Sequence, residues 1–289
     1  MYPQDIKDLV TIGIATKNRW SDLENTLHHL SLSKLKELHI LILDDASDTP
    51  CPFDIDRFCP NTTLQRFEQS QGYIVRRNQL AHRIKTKYYL SLDDDSFPVT
   101  NTLESAIEFA ESKQNLLCLS FQVFNPTTGL FENQSLKEKP YPVRSFIGCG
   151  HLLHCKNFLD LGGYREELIH QGEEMEIAAR GFQKNLYCYH FPEFHIHHTA
   201  SNLGRNWHRM DFYGARNNLL WNDWFVPSGL KLIQQTRTII SRLGLSWRVK
   251  RWGQVQGMLS AVQEMDALKH HRQSFTPQLY SQWKRLPYS

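Results

Sequence analysis

The stretch LVTIGIA at residues 9–15 decides the fold of this chain, together with LHILIL at residues 38–43. Both are short, nearly continuous apolar runs that end in polar residues, which is typical of strands buried on both faces of a parallel sheet. Between them, Leu23, Leu27 and Leu30 recur at helical spacing. The three segments form a β-α-β unit, for which a right-handed parallel crossover is expected.

The same alternation continues through the first half of the chain. Ser21, with Glu24 three residues later, predicts the start of the first helix. Further strands are predicted at residues 64–67, 88–92 and 116–123, with helical patterns between them. The sequence therefore predicts an α/β fold with a doubly wound, mostly parallel sheet and flanking helices.

The regular alternation of predicted strands and helices ends after residue 124. A segment with Pro and Gly at residues 125–142 predicts a long loop or hairpin, and a helix is expected at residues 173–181. From residue 230 onward the chain reads as two basic helices. We predict a large α/β domain at residues 1–227 and a basic helical extension at residues 228–289.

Composition indicates an ordinary globular protein. The 289 residues are 40% hydrophobic and 22% charged, with a formal net charge of +3. The six cysteines form no CxxC pair, the first residues do not resemble a secretory signal, and no apolar run is long enough to span a bilayer. We expect a cytoplasmic protein with reduced cysteines, whose basic extension either packs on the large domain or rests peripherally on the inner face of a membrane.

Polar residues follow three of the predicted strands, where ligands bind in open α/β sheets. They are TKNR at residues 16–19, DDASD at residues 44–48 and DDD at residues 93–95. Three successive carboxylates repel one another unless a cation or hydrogen-bond donors balance them. Mg²⁺ and Mn²⁺ prefer carboxylate oxygens and complete their coordination with substrate phosphates, so the third set suggests a divalent metal and a diphosphate ligand.

These motifs, in this order, resemble glycosyltransferase family 2. The resemblance includes Arg77-Asn78 after a glycine, FIGCG at residues 146–150, LGGY at residues 161–164 and GEEMEIAARG at residues 172–181. A histidine soon after Pro192 and the pair Arg216-Asn217 extend it, so that it covers roughly residues 10–221. It implies the GT-A fold and an inverting, metal-dependent transfer of a sugar from a nucleotide-diphosphate sugar, with UDP or dTDP favoured, to a hydroxyl of a glycan or lipid-linked acceptor.

The resemblance also implies roles for individual residues. The residues expected to bind the donor nucleotide are Thr16, Asn18, Arg19, Asp44, Asp45, Arg77, Asp93 and Asp94. Asp95 and His198 are the expected ligands of Mn²⁺ or Mg²⁺, with His197 as second choice. Glu174 is the expected catalytic base, at a position where the family usually has aspartate. The residues expected near the donor sugar or the acceptor are Gly148, Gly150, His151 and Glu173.

Other classes remain open at this point. A catalytically silent nucleotide-sugar or glycan-binding module would keep the same fold. A sugar-nucleotide pyrophosphorylase would ordinarily carry a Gly-rich basic loop where this chain has ATKNRW, and a metallo-hydrolase built on residues 195–198 lacks the HxHxDH pattern. Nucleic-acid binding is disfavoured because the excess of positive charge is small. For a glycosyltransferase, the expected role is cell-surface glycan or polysaccharide synthesis.

Overall fold

The computed structural model describes residues 4–200 and 206–289. The strands in this range are β1 Val10–Thr16, β2 His39–Asp44, β3 Thr62–Arg66, β4 Tyr88–Asp93, β5 Ser96–Pro98, β6 Leu116–Asn125, β7 Leu130–Asn133, β8 Tyr141–Val143, β9 Gly150–His154 and β10 Tyr187–His198. The α-helices are α1 Gln4–Leu9, α2 Trp20–Ser31, α3 Tyr73–Arg83, α4 Leu103–Glu111, α5 Cys155–Asp160, α6 Glu173–Gln183, α7 Trp207–Phe225, α8 Ser228–Val249, α9 Gly253–Glu264 and α10 Pro277–Arg285.

All of these strands belong to one sheet, whose main order is β3-β2-β1-β4-β9-β6-β10-β5. The first four strands in that order are parallel, as are β6 and β10. Strand β9 runs antiparallel to both β4 and β6 and joins the two parallel parts. The predicted α/β class, with a mostly parallel sheet and flanking helices, is confirmed.

The sheet is covered on both faces. One apolar cluster joins β1 and β2 to α2 and α4, through residues such as Ile12, Leu27 and Ile107. A second cluster joins the other face to α3, α5, α6 and α7. The strand predictions are right in kind because a strand buried on both faces must be apolar throughout.

The start of the first helix was predicted wrongly. Helix α2 begins at Trp20, and the residue before it, Arg19, makes no side-chain cap. Ser21 therefore lies inside the helix. The side chain of Arg19 extends instead to the acidic turn after β4.

The segment after residue 227 contains three α-helices in place of the two predicted. Met258 of α9 and Trp283 of α10 are buried in the same cluster as Trp224 of α7. Helix α8, by contrast, exposes a row of large apolar side chains. In residues 4–200 and 206–289, no helix is long and apolar enough to cross a membrane.

Candidate active site

The carboxyl ends of β1, β2 and β4 meet at one edge of the sheet. Strand register places Ala15 beside Asp93 and Thr16 beside Asp44. Strand β10 reaches the same edge from the second half of the chain, because His198 pairs with Ser96 directly after the acidic turn. Residues that are distant in sequence therefore converge on the turn at residues 93–95.

Three side chains at this turn could hold a divalent cation. Oxygen atoms of Asp93 and Asp95 and a ring nitrogen of His198 all lie within 4.8 Å of one another. His198 Nε2 is 3.3 Å from Asp95 Oδ1, and the carboxylate of Glu132 accepts a 2.6 Å hydrogen bond from His198 Nδ1. A carboxylate behind the ring fixes both its orientation and its tautomer, as in many metal sites. The donor set fits Mn²⁺ or Mg²⁺.

The other two histidines of this strand are used elsewhere. The ring of His197 lies 5.9 Å from that of Phe97 and 5.4 Å from that of Phe124. The Nε2 atom of His195 lies 2.9 Å from the carbonyl oxygen of Pro192. His198, the first choice from the sequence, is therefore the histidine that faces the acidic turn.

The protein groups around the turn balance its charge unevenly. Arg19 is 2.5 Å from Asp95 and 3.3 Å from Asp94. Burial would raise the pKa of Asp95, but hydrogen bonds and charge from His198 and Arg19 outweigh it and hold this pKa at about 2. Burial raises the pKa of Asp94 to about 8, although Arg19 and a 2.8 Å hydrogen bond from Thr16 oppose the rise. The charge of Asp95 is thus stabilised by its neighbours, whereas Asp94 accepts a hydrogen bond from Thr16 of β1.

The turn after β2 is held by its own side chains. Asp44 accepts hydrogen bonds from the backbone N–H and the hydroxyl of Ser47, at 2.9 and 2.5 Å. Asn18 has a positive φ of 56° and exchanges hydrogen bonds with Asp48. The turn after β1, which contains Asn18, and the turn after β2 are therefore held together at the edge where the nucleotide is expected.

Asp45 is fully engaged within the protein. It accepts hydrogen bonds from Ser70, from the backbone N–H groups of Gln71 and Gly72, and from Arg76 at 2.7 Å. A carboxylate has about four acceptor positions. In this conformation Asp45 shapes the loop at residues 70–72, and a contact with a nucleobase would require displacement of one of these donors.

Arg77 connects the acidic turn to the start of α6. Its guanidinium is 2.5 Å from Asp93 and 3.2 Å from Glu173, and it donates to the carbonyl oxygen of Gly148 at 3.1 Å. Glu174 lies 4.0 Å away. Burial disfavours the charge of Arg77, but Asp93 and Glu173 outweigh this effect and raise its pKa. One buried cation therefore bridges the two acidic parts of the site.

Glu173 and Glu174 point in different directions. The side chain of Glu173 is fully buried against Arg77, so it supports Arg77 and does not face a ligand. The side chain of Glu174 is 19% exposed and lies beside Gly148, where an added Cβ would be 2.5 Å from Glu174 Oε1. Burial and the neighbouring Glu173 raise the pKa of Glu174 well above the ordinary value of a glutamate.

Two of the residues predicted near the donor sugar or acceptor lie inside the protein. His151 is completely buried, packs on Phe146 and has its Nε2 3.2 Å from the hydroxyl of Tyr164. Burial and the charge of Arg77 lower its pKa to about 3. At Gly150, an added Cβ would be 2.7 Å from Ile196. In this structure His151 and Gly150 therefore contribute to packing, and the contact of His151 with the acceptor stays a prediction.

Sequence reasoning missed the residues that hold the loop before α6. Asn217 donates from Nδ2 to the carbonyl oxygens of Leu168, His170 and Gln171, at 2.9, 2.9 and 2.7 Å. The hydroxyl of Tyr73 accepts from the backbone N–H of Gln171 at 2.9 Å. Gln171 has a positive φ of 67°, which costs energy and needs such support. The pair Arg216-Asn217 was the sequence signal, but its role was not predicted.

Comparison with known proteins agrees with this geometry. The profile described as glycosyl transferase family 2 matches residues 11–163, just over half of the chain. No curated protein sequence matches significantly.

Similar solved structures include GalNAc-T7 with UDP, GalNAc and Mn²⁺, at 18% identity and a TM-score of 0.58, covering 75% of this chain and 48% of that one. Another is the mannosyltransferase PcManGT from Pyrobaculum calidifontis with GDP-Man and Mn²⁺, at 14% identity and a TM-score of 0.60, covering 95% and 78%. A third is S. aureus TarS 1-349 with UDP-GlcNAc, at 16% identity and a TM-score of 0.56, covering 80% and 71%.

This chain thus spans about half the length of the GalNAc-T7 chain. At these identities the likeness establishes the shared GT-A fold. The family profile, which begins at β1 and includes the turns after β1, β2 and β4, establishes more. The chain belongs to glycosyl transferase family 2.

Proposed function

We propose that this protein is an inverting, divalent-metal-dependent glycosyltransferase that moves a sugar from a nucleotide-diphosphate sugar to an acceptor hydroxyl. The observation that carries the proposal is the bridge made by Arg77 between Asp93, at the metal group, and the start of α6, where Glu174 lies. It places a cation-binding group and a carboxylate of raised pKa in one site. General-base catalysis and charge stabilisation by a metal ion can both promote group transfer to a hydroxyl.

The cation would be held by Asp93, Asp95 and His198, with Glu132 orienting the histidine. With Mn²⁺ bound, these residues would provide positive charge that stabilises a departing diphosphate. GalNAc-T7 and PcManGT were both solved with Mn²⁺. Those neighbours carry UDP and GDP-Man respectively, and we favour a uridine or thymidine diphosphate donor on the family resemblance.

Glu174 is the proposed base. Its carboxylate takes the proton of the acceptor hydroxyl while the acceptor oxygen forms a bond to the anomeric carbon. The bond from that carbon to the diphosphate oxygen breaks on the opposite face, and the nucleoside diphosphate leaves with the electron pair. A raised pKa suits this role, since a base is most effective when its pKa is near the working pH.

We further propose that α8 docks on an anionic membrane surface. Leu232, Ile240, Leu243 and Trp247 fall on one helical face and are 45–81% exposed. The helix contains basic residues but no acidic residue. An apolar face with basic flanks is typical of helices that lie in the interface of anionic bilayers. Such docking would suit a lipid-linked acceptor in cell-surface glycan synthesis.

Substitution tests this docking better than truncation, because α9 and α10 contribute to the core. We expect the double variant Ile240→Ser with Trp247→Ser to lose sedimentation with phosphatidylglycerol-containing vesicles. Leu130→Ser removes an equally exposed leucine from β7 and serves as the control. The proposal is contradicted if the double variant binds the vesicles as well as Leu130→Ser does. It is also contradicted if the wild type binds purely zwitterionic vesicles as well as vesicles that contain phosphatidylglycerol.

Calorimetric titration tests the catalytic site. UDP, dTDP and GDP are each titrated with and without Mn²⁺ into the wild type and Asp95→Ala. We expect one nucleotide to bind only with Mn²⁺ and only to the wild type. If all three fail to bind to the folded protein, the donor site is refuted, and a silent module with this fold becomes the better description.

A further inference from the structure

A cavity of about 310 Å³ lies beside the start of α6, between α7, α8 and α9. Six of its lining residues matter here and define what we call the helix pocket: Met175, Trp207, Trp221, Arg242, Leu245 and Gln254. The volume is at the lower end of the range for sites that bind small molecules. None of the roles assigned above uses this cavity.

Two buried polar atoms of the helix pocket lack partners. Trp221 is 8% exposed and Gln254 is 1% exposed. Within the described part of the chain, Trp221 Nε1 and Gln254 Oε1 have no hydrogen-bond partner. Leaving such groups unsatisfied is energetically costly, and native proteins seldom do so without a reason.

The two atoms have complementary requirements. The indole N–H of Trp221 can only donate, whereas Gln254 Oε1 can only accept. A hydroxyl group does both, because it has one hydrogen to donate and two lone pairs to accept. A ligand with several hydroxyl groups would satisfy both atoms.

The remaining lining also fits a saccharide. Trp207 is half exposed and contributes an aromatic ring to the lining, with the guanidinium of Arg251 5.1 Å from its centroid. Arg242 also lines the cavity and supplies guanidinium donors. Its acidic neighbour Asp211 already pairs with Arg251 at 2.9 Å. Burial lowers the pKa of Arg242 despite the attraction of Asp211, so a polar ligand here would replace lost hydration.

The helix pocket lies next to the proposed base. Gly172 and Met175 both line the cavity, and they flank Glu173 and Glu174 along the chain. Asn217, another lining residue, holds the loop that leads into α6. A saccharide in the cavity would therefore be close to the carboxylate that activates an acceptor hydroxyl.

Helix α8 presents opposite faces to the pocket and to the outside. At 100° per residue, Leu245 lies about 200° from Leu243, which belongs to the exposed apolar face. Leu245 and Arg242 line the cavity. The pocket and the proposed membrane surface therefore do not compete for the same side chains.

We propose that the helix pocket is the acceptor subsite and binds a saccharide unit of the acceptor glycan through Trp221, Arg242 and Gln254. This inference rests on the proposed function, which it deepens by naming the class of acceptor and its position. The donor occupies the strand edge, and the acceptor approaches Glu174 from the side of α7 and α8.

Saturation-transfer NMR tests the subsite on the full chain, with the methyl β-glycosides of glucose, galactose and N-acetylglucosamine as probes and UDP with Mn²⁺ present. We expect at least one glycoside to give a signal with the wild type. We expect that signal to fall at least about fivefold in Gln254→Leu and Trp221→Phe, since each removes an unpaired polar atom and leaves an apolar side chain. Gln254→Leu also removes the donor to Asp211. Arg242→Gln should weaken it as well.

The control is Trp252→Phe, at an exposed tryptophan outside the pocket lining. It should leave the signal unchanged. Calorimetry with UDP, dTDP and GDP on the same samples shows whether each variant is folded and separates the two proposals. Nucleotide binding without any glycoside signal, or with equal signals in all variants, overturns the subsite but not the function. Loss of all nucleotide binding by the wild type refutes the function itself.

Discussion

The variant Gly148→Ala tests whether Glu174 must occupy its observed position. The φ angle of Gly148 does not lie in the positive range that favours glycine, so alanine introduces no backbone strain. Its Cβ, however, would lie 2.5 Å from Glu174 Oε1 and 2.8 Å from Arg77 Nη1. Both atoms belong to the ends of long side chains, so the clash moves functional groups and leaves the backbone in place.

The size of the movement follows from these distances. An ordinary van der Waals contact of a Cβ begins at 3.4 Å, so Glu174 Oε1 must retreat by about 0.9 Å. A misplacement of about 1 Å in a catalytic group can reduce the rate by about 10²-fold. This corresponds to about 2.7 kcal/mol of activation free energy. We therefore expect kcat to fall by about two orders of magnitude and Tm to change little.

The assay measures nucleoside diphosphate released from a panel of UDP-, dTDP- and GDP-sugars with Mn²⁺, because water can replace the unidentified acceptor. Gly229→Ala at the start of α8 is the matched control, since its Cβ would have nothing within 4 Å. A Gly148→Ala enzyme whose kcat stays within about twofold of the wild type would refute the assignment of Glu174 as base. A large fall in Tm would mean that the clash acts on the fold.

Four further outcomes are expected. Glu174→Gln should lower kcat by about 10²–10⁴-fold without weakening nucleotide binding in calorimetry. The pKa of Glu174 is raised in the folded state, so its protonated carboxyl favours folding at low pH. This contribution to stability is lost as the pH rises through that pKa. Above neutral pH, Glu174→Gln should therefore have a Tm no lower than that of the wild type. For the same reason wild-type kcat/KM should rise with pH through a pKa above the ordinary glutamate value; a profile flat from pH 5 to 8 contradicts this. Asn217→Ala leaves three carbonyl groups without their donor, and it should lower the free energy of unfolding in urea by about 1–3 kcal/mol. Gln256→Ala, at an exposed position of α9, should not change it.

The fold was largely predictable because its signals are local. The runs at residues 9–15 and 38–43 are nearly continuous in apolar residues, which is typical of a strand covered on both faces by helices. The prediction failed where a side chain makes its contacts outside its own helix or strand. Ser21 looked like a helix cap, but α2 starts one residue earlier, and Arg19 is drawn away to Asp94 and Asp95 by charge.

The site was predictable where residue type and position along the chain decide the chemistry. Asp95 and His198 do converge, because strand ends in a parallel sheet share one edge and β10 returns to it. His151 could not be placed from sequence, because its burial depends on the packing of Phe146 and Tyr164 around it. Glu132 was missed for a related reason: it comes from β7, and a single glutamate in a predicted hairpin carries no local signal.

Arg77 shows why the two acidic motifs of this chain must be considered together. Asp93 and the glutamates at the start of α6 repel one another, and burial raises the pKa of both Glu173 and Glu174. Arg77 balances this charge only because Gly148 allows its guanidinium to approach the chain and donate to the carbonyl oxygen there. Gly148, Arg77 and the carboxylates are therefore one electrostatic unit, in which the charge of Asp93 contributes to the raised pKa of Glu174.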